Sequence, residues 1–333
     1  MSEHPTEPLV SVLIPTHNRP DYLEVALRSA LAQRYANLEI VVSDNGDDDL
    51  TAQRIQPYLQ AHPHIRYFRR QGMSATENWD KCMELSRGEY LNYLMDDDAF
   101  HPDKISRMMQ CFQAHPDVGL VTSFRQLIDE RGNPLPPVEG TERLFAQDTM
   151  VTGSSFGRYI LALGSNLIGE PTTVLFRRAD LRGPFGTFLD RRYTVLSDIA
   201  TWLSILARWD AVYLVDPMSY FRIHFQQDQR DNSTRLRASL EWMTLFLDSH
   251  EHGLFSEEEP AFLDLLAAKL GGLSQYLTLH YPSIRGGSIP AQDIVDGMQR
   301  CFHALLHRQG APSPLDSPPS GTSGTHVASK GRP

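Results

Sequence analysis

The sequence predicts an α/β protein, in which a Rossmann-like mixed sheet is flanked by helices and followed by a C-terminal helical extension. Up to about residue 117, short apolar runs alternate with segments whose apolar residues recur at helical spacing. Such alternation is typical of βαβ units and a largely parallel sheet. Further on, the strand-like runs become irregularly spaced, and residues 235–308 have helical periodicity. We expect a sheet domain over 1–225, a helical extension over 226–309 and a disordered tail over 310–333.

Four apolar runs in the first part of the chain predict buried strands, at residues 10–15, 38–43, 65–69 and 90–95. Helices are predicted between and after these runs, at 50–61 and 75–87 and onwards from Pro20 and Pro102. Proline is favoured at the first helical position, which supports a start at Pro20. Pro57 disturbs the second helix because it has no backbone N–H to donate. Gly88 is predicted to cap the third helix.

The second part of the chain predicts a mixed sheet and a set of helices. Strands are predicted at 118–124, 172–177, 211–215 and 218–223, and a helix at 197–208. Residues 129–153 have a loop-like composition. Ser256 and Glu259 have the spacing of a capping box ahead of a further helix. The tail from residue 310 is rich in proline, serine and glycine and is too poor in apolar residues to pack.

Composition excludes several classes of protein. The formal charge of −10 argues against a nucleic-acid binder, which needs a basic face. No apolar run is long enough for a transmembrane helix, although peripheral membrane contact stays open. The N-terminus lacks the basic and apolar regions of a signal peptide. The three cysteines lack metal-binding spacing and are expected to be reduced, so we predict a cytoplasmic location. Oligomeric state is not predicted.

Polar segments follow three of the predicted strands. They are PTHNRP at 15–20, SDNGDDD at 43–49 and DDD at 96–98. Because parallel strands end at one edge of a sheet, where ligands bind, these segments should meet at a single site. Carboxylate oxygens are the ligands that hard divalent cations prefer. In an extended segment Asp96 and Asp98 would point the same way, so that one could face a ribose and the other hold a metal.

These motifs resemble those of family 2 glycosyltransferases of the GT-A fold. The matching pieces are residues 11–49, GEYLNYLMDDD (88–98), GEPTTVLFRR (169–178), LSDIATWL (196–203) and YFRIH (220–224). The resemblance implies an inverting, hexosyltransferase-like enzyme with a DXD motif and Mg²⁺ or Mn²⁺ as cofactor. Its donor would be a nucleotide-diphosphate sugar, with UDP-sugars favoured, and its acceptor a glycan, a lipid-linked sugar or a protein. A role in polysaccharide biosynthesis would follow.

The resemblance also implies roles for individual residues. The nucleotide pocket would be lined by Pro15, Thr16, Asn18 and Arg19, with Asp44 hydrogen-bonded to the base and Asp96 facing the ribose. Asp97 would lie between Asp96 and the metal ligand Asp98, and His224 would approach the metal or the diphosphate. Asp198 would be the general base that deprotonates the acceptor hydroxyl.

Other interpretations of the same residues stay open. Asp198 could cap a helix, Asp44 could shape an Asp-Asn-Gly turn, and His224 could be structural. Trp79 has the helical spacing of a core residue, and Arg192 is predicted to be solvated at the surface. The whole chain could also be a non-catalytic nucleotide-sugar or glycan binding protein that keeps the fold. Phosphohydrolases and sugar nucleotidyltransferases are disfavoured, because PTHNRP offers neither a carboxylate nucleophile nor a glycine-rich phosphate loop.

Overall fold

The computed structural model describes residues 7–138, 140–224, 232–285 and 291–306. Its strands are β1 Val10–Thr16, β2 Leu38–Asp44, β3 Ile65–Arg69, β4 Tyr90–Tyr93, β5 Ala99–Phe100, β6 Val118–Ile128, β7 Thr149–Val151, β8 Leu175–Arg177, β9 Thr187–Phe188, β10 Arg191–Arg192 and β11 Asp210–Arg222.

The helices fall into two groups along the chain. Among the described residues, six lie among the strands: α1 Pro20–Leu31, α2 Leu50–Ala61, α3 Ala75–Leu85, α4 Lys104–Ala114, α5 Gly153–Leu163 and α6 Ser197–Leu206. Four more helices of the described ranges follow the last strand: α7 Asn232–Glu251, α8 Glu259–Leu279, α9 Tyr281–Arg285 and α10 Ala291–Leu306. Two short 3₁₀ turns, Pro171–Thr173 and Arg178–Asp180, flank β8.

Within the described residues, nine strands form one mixed sheet in the order β3-β2-β1-β4-β8-β6-β11-β5, with β7 paired to β11. The strands β3, β2, β1 and β4 are parallel, and Thr16 at the end of β1 pairs with Asp44 at the end of β2. Strand β8 is antiparallel to both of its neighbours, β4 and β6. The predicted mixed α/β sheet is therefore confirmed, and the polar segments after β1, β2 and β4 lie at one edge.

The early helices follow the sequence patterns. Helix α1 begins with Pro20 and buries Leu23, Ala26 and Leu27 against the sheet. Helix α2 continues through Pro57, although it buries only Thr51 and Ile55. The predictions for these two helices are confirmed, because an amphipathic face and a tolerated proline together allow the expected helix.

The predicted cap at Gly88 is wrong. Helix α3 ends with Ser86 in an extended conformation as its C-cap. Gly88 instead donates its N–H to the Ser11 hydroxyl at 2.8 Å, where a Cβ on Gly88 would lie only 2.6 Å from the Ser11 backbone nitrogen. Glycine is needed here for the close approach of two backbones, and not for a left-handed cap.

Three other predictions are also corrected. The first part of the strand predicted at 172–177 is a 3₁₀ turn, and the two strands predicted at 211–223 are one strand with register shifts between Leu214 and Pro217. The loop-like stretch contains β7. Helix α8 begins after Glu258, which makes no side-chain capping bond, so the predicted Ser256–Glu259 capping box is absent.

The core lies on both faces of the sheet. One cluster packs α1 and α4 against the sheet, around Val12, Ile40 and Met108. The second cluster joins Leu13 and Phe176 of the sheet to α5 and α6 and continues into α7, α8 and α10 of the helical extension. The helical extension therefore shares a core with the sheet. The predicted disordered tail at 310–333 lies outside the described residues.

In the described ranges, no helix is both long enough and apolar enough to cross a membrane.

Candidate active site

The acidic triplet follows β4 and contacts the segment after β1. The Thr16 hydroxyl donates to Asp96 Oδ2 at 2.8 Å, and an Arg19 nitrogen donates to Asp96 Oδ1 at 3.2 Å. Burial and the charge of Asp97 raise the pKa of Asp96 to about 6, against the opposing effect of Arg19. Asp96 therefore holds two of the predicted nucleotide-pocket residues in place, beside the buried Pro15.

Asp97 is the member of the triplet that faces open space. It lines a cavity of about 320 Å³ at the edge of the sheet. Its Oδ2 atom lies 2.8 Å from His224 Nε2 and 3.1 Å from an Arg19 nitrogen. The imidazole is almost fully buried and its ring lies 5.3 Å from that of Tyr22. Strand β11 ends at Arg222 and so brings His224 beside the acidic triplet.

Asp98 points into the protein. It is 1% exposed, and its two oxygens accept from the Thr172 hydroxyl at 2.6 Å and the Arg222 N–H at 2.9 Å. Burial raises the pKa of Asp98 well above its ordinary value, and the charge of Asp97 adds to this. The expected extended geometry is wrong here, because the Asp98 N–H bonds to the Met95 carbonyl and closes a turn at 96–97. The metal-ligand role of Asp98 stays a prediction, and its hydrogen-bond partners make it a support for the turn.

The segments after β1 and β2 are bound to each other. Asn18 adopts a left-handed φ of 54°; its amide donates to Asp47 Oδ2 at 2.6 Å and its carbonyl accepts from the Asp47 N–H at 2.8 Å. Asp44 is fully buried, with its oxygens accepting from the Tyr67 hydroxyl at 2.6 Å and the Gly46 N–H at 2.7 Å. Base binding by Asp44 stays a prediction; what the carboxylate does in this structure is fix the Asp-Asn-Gly turn.

Asp198 lies in the first turn of α6 and lines the same cavity as Asp97. Its Oδ2 accepts from the Asn166 amide and its Oδ1 from the Ile199 N–H, both at 2.8 Å. Burial and the charge of Glu170 raise the pKa of Asp198 to about 7, although the hydrogen bond from the Ile199 N–H and the charge of Arg125 oppose the shift. Asp198 thus accepts from a helix N–H and also presents a carboxyl group to the cavity.

Most of the remaining cavity wall consists of residues to which the sequence analysis assigned no role in binding or catalysis. Trp79 was predicted to be core, but it lines the cavity and packs at 4.8 Å from the Tyr93 ring and 5.4 Å from Phe185. Arg192 lines the cavity and forms a bidentate ion pair with Asp80 at 2.6 and 2.9 Å. Helical spacing alone could not show that one face of Trp79 borders an opening. Further lining comes from Thr76, Glu170, Tyr193, Thr194, Val195, Ser197 and Phe221.

The family assignment rests on the sequence that builds this sheet edge. The family model described as glycosyl transferase family 2 matches residues 11–182, which is more than half of the chain. The chain belongs to glycosyl transferase family 2. The matched range contains all three polar segments of the sheet edge and ends before Asp198.

Several curated relatives match only part of the chain. An uncharacterized glycosyltransferase of Rickettsia felis is 33% identical over 38% of the chain, and the chondroitin synthase of Escherichia coli is 29% identical over a similar share. The chain spans only about a fifth of the length of these relatives. A putative teichuronic acid biosynthesis glycosyltransferase of Bacillus subtilis, TuaG, is 25% identical over 62% of the chain and 75% of its own length.

The same fold occurs in the S. aureus protein TarS. A structure of its residues 1–349 matches with a TM-score of 0.57 at 15% identity, covering 89% of this chain and 81% of that one. A second structure, in complex with UDP-GlcNAc, matches with the same TM-score and coverage. At this level of identity the likeness establishes the fold alone, and it confirms the predicted GT-A type architecture.

A divalent metal would find a partial set of ligands in this family 2 protein. Asp97 and His224 place one carboxylate oxygen and one imidazole nitrogen close together beside the cavity. No group of three or more histidine, cysteine, aspartate or glutamate residues that could hold a metal occurs among the described residues. Two protein ligands fit a Mg²⁺ or Mn²⁺ ion that takes its other ligands from diphosphate oxygens and water.

Proposed function

We propose that this family 2 protein is an inverting glycosyltransferase that moves a sugar from a UDP-sugar to an acceptor hydroxyl. The observation that supports this most strongly is that Asp97 and Asp198, which come from separate parts of the chain, line one cavity at the ligand edge of the sheet. A site for a diphosphate and a site for a general base are thereby adjacent, as a single displacement requires.

Asp198 is the proposed general base. Its two hydrogen-bond donors, the Asn166 amide and the Ile199 N–H, are neutral, so the carboxylate keeps its capacity to accept a proton. A pKa of about 7 suits a base at neutral pH, since proton transfer works best near the operating pH. The proton of the acceptor hydroxyl passes to Asp198 as that oxygen attacks the anomeric carbon from the side opposite the leaving diphosphate.

Inversion is supported by the other carboxylates of the cavity wall. Glu170 is ion-paired with Arg125 at 2.7 Å, and Asp97 contacts Arg19 and His224. Neither contact favours a carboxylate nucleophile that would form a covalent sugar intermediate. We therefore propose one displacement with inversion, and not two with retention.

Asp97 and His224 are the proposed metal-binding residues, in place of the predicted pair of Asp98 and His224. When bound, Mg²⁺ or Mn²⁺ would supply positive charge that stabilises the departing diphosphate. Arg19 is ion-paired with both Asp96 and Asp97, which limits the repulsion between these adjacent carboxylates.

The donor and the acceptor are proposed as classes of molecule and not as single compounds. UDP-sugars are the first donors to test, because the structurally similar TarS has been solved with UDP and with UDP-GlcNAc. Acceptors to test are glycans, lipid-linked sugars and proteins, in line with a role in polysaccharide biosynthesis. A cytoplasmic location is part of the same proposal.

The test is Asp198→Asn, assayed for sugar transfer from a panel of UDP-sugars with Mn²⁺. Asparagine keeps the shape and an acceptor oxygen for the Ile199 N–H but cannot take a proton, so transfer should fall on the order of 10²–10⁴-fold. UDP binding by calorimetry should stay at the wild-type value, and the variant should remain folded with a modestly lower melting temperature, because an amide cannot accept from both the Asn166 amide and the Ile199 N–H. Asp264→Asn, an exposed change on α8, is the matched control.

Two outcomes would contradict the proposal. Equal transfer by wild type and Asp198→Asn would remove Asp198 from the mechanism. Tight UDP-sugar binding without transfer to any acceptor class would favour the non-catalytic binding protein.

A further inference from the structure

The helical extension contacts the part of the chain that carries Asp198. Segment 191–197 leads from β10 into α6 and supplies a large share of the cavity wall, including Arg192, Tyr193 and Ser197. The conformation of this segment determines where Asp198 lies, because Asp198 follows it directly in the first turn of α6.

Segment 191–197 provides no side-chain cap for its own helix. The N-cap of α6 is Leu196, whose side chain has no hydrogen-bonding atom. The first N–H groups of a helix have no intrahelical partners and need acceptors from elsewhere. Asp198 accepts only one of them, the Ile199 N–H.

Glu241 of α7 accepts hydrogen bonds from the residues that lead into α6. Its Oε1 accepts from the Thr194 N–H and hydroxyl, both at 3.1 Å. Its Oε2 accepts from the Val195 N–H at 3.0 Å and the Leu196 N–H at 2.7 Å. One carboxylate thus fixes three consecutive peptide groups, and its negative charge faces the positive end of the α6 dipole.

Asp248 holds the same segment two helical turns further along α7. Its Oδ2 accepts from the Tyr193 hydroxyl at 2.8 Å and lies 3.5 Å from Arg191. Its Oδ1 accepts from Arg300 of α10 at 2.8 Å. Since Glu241 and Asp248 are seven residues apart, they lie on one face of α7 and contact one segment.

Resting on the proposed function, we propose that Glu241 and Asp248 of α7 form a clamp that positions Asp198 and the surrounding cavity wall for glycosyl transfer. Glu241 and Asp248 are positioning residues, since they act on the peptide groups that precede Asp198. Packing of α7 does not require these two carboxylates, because Leu236, Leu240, Met243 and Leu247 already bury its apolar face. The two carboxylates instead fix the conformation of segment 191–197 through their hydrogen bonds.

The first experiment measures the clamp without using activity. Hydrogen exchange is followed in the full-length Glu241→Gln protein, in which an NH₂ group replaces one acceptor and faces backbone donors. Exchange at the amides of residues 194–196 should become at least about tenfold faster, because protection depends on these bonds. Glu251→Gln on the same helix contacts Arg300 and not the segment, and should leave exchange unchanged. Unchanged exchange in Glu241→Gln would overturn the clamp.

The second experiment measures positioning. In Glu241→Gln, kcat should fall roughly 10–100-fold, since small displacements of a catalytic group cost about this much. UDP affinity and the pH at the midpoint of the kcat/KM profile should match wild type, because Asp97 and Asp198 are unchanged. Faster exchange with an unchanged kcat would overturn the positioning role. Absence of transfer by wild type would contradict the proposed function, while the exchange result would still decide the clamp.

A milder variant covers the case in which Glu241→Gln does not fold. Tyr193→Phe removes only the hydroxyl that donates a hydrogen bond to Asp248, and keeps the buried ring. Exchange over residues 191–197 should rise in this variant as well, and wild-type exchange there would overturn the contribution of Asp248.

Discussion

At the scale of single residues, three adjacent carboxylates coexist because each has a different environment. Asp96 accepts from Thr16 and Arg19, Asp97 faces the cavity, and Asp98 is buried against Thr172. Hydrogen bonds to a carboxylate favour its charged form, whereas burial favours the protonated form. The turn at 96–97 separates the three side chains, so one acidic motif yields a support for the nucleotide pocket, a proposed metal ligand and an internal anchor.

Asp97 and Asp98 should respond differently to the same substitution. Asp97→Asn should abolish Mn²⁺-dependent UDP binding while the melting temperature stays near wild type, since Asp97 lies at the cavity. Asp98→Asn should lower stability by about 1–3 kcal/mol, because an amide cannot accept from both Thr172 and the Arg222 N–H. Calorimetry with UDP and Mn²⁺ and thermal melts measure the two effects. Loss of metal-dependent binding in Asp98→Asn alone, with an unchanged melt, would restore Asp98 as the ligand.

The pH dependence of transfer should follow Asp198. Only its carboxylate can accept a proton, so kcat/KM should rise with pH through about 7, the raised pKa of Asp198. Glu170→Gln should move this midpoint to lower pH, since the charge of Glu170 raises the pKa and that of Arg125 lowers it. The measurement is kcat/KM from pH 5 to pH 9 for both proteins. An identical midpoint would show that Asp198 does not control the profile.

Stability should depend on Asp198 in the opposite sense. A folded-state pKa above the unfolded value of 3.8 means that the folded protein binds this proton more tightly. The contribution to stability is therefore complete below the unfolded pKa and is lost as pH rises through about 7. At a pH above about 7, where Asp198 is ionised and can act as the proposed base, its burial therefore lowers the stability of the folded protein most.

At the scale of elements, the backbone of Gly88, which precedes β4, lies directly against the backbone of Ser11 in β1. The Ser11 hydroxyl donates to Glu39 of β2 at 2.6 Å and accepts the Gly88 N–H at 2.8 Å. The Glu39 carboxylate also pairs with Arg87 at 3.1 Å. These buried bonds set the spacing of three parallel strands, and hence of the polar segments that follow them.

A pair of glycine substitutions tests this packing. Gly88→Ala would place a methyl group 2.6 Å from the Ser11 nitrogen and 2.9 Å from the Tyr90 carbonyl oxygen, so we expect a loss of about 1–3 kcal/mol in stability. Gly271→Ala lies inside α8 with no atom within 4 Å of the added carbon, and should stabilise by roughly 0.5–1 kcal/mol. Denaturant unfolding measures both. Equal stability of the two variants would contradict the close approach at Gly88.

At the scale of the whole molecule, the helical extension contributes to the core that it shares with the sheet. Leu236, Met243, Leu245 and Leu247 of α7 are at most 3% exposed and pack in the cluster that also contains Phe176 and Trp202. Burial of each such side chain contributes about 1.5–3 kcal/mol. Several of them together are comparable to the whole stability of a typical domain, about 5–15 kcal/mol.

Two truncations separate the contributions of the extension and the tail. A chain that ends at residue 231 should lose cooperative unfolding and bind hydrophobic dye, because it exposes the core face that α7, α8 and α10 cover. A chain that ends at residue 311 should melt like the full chain, since its missing residues are poor in apolar side chains. Calorimetric melts test both. Cooperative unfolding of the shorter chain at the wild-type temperature would show that the sheet domain folds independently.

The sequence by itself determined the elements and the edge of the sheet at which chemistry should occur. Alternating apolar periodicity fixed β1 to β4 and their helices, because side-chain spacing is a local property of strands and helices. The acidic segments after these strands indicated the family, and the family model confirmed it. The position of Asp198 within a helix start was likewise predicted from local pattern.

Only the tertiary structure decided which of those residues face the cavity and which are buried. A turn that depends on the Met95 carbonyl turned Asp98 inward and left Asp97 at the cavity. Trp79 borders an opening whose wall also includes residues of segment 191–197, and Glu241 reaches that segment from α7. Contacts between residues far apart in the chain cannot be predicted from the local periodicity of apolar residues around either one. They were decided by packing and by the need of buried N–H groups for acceptors.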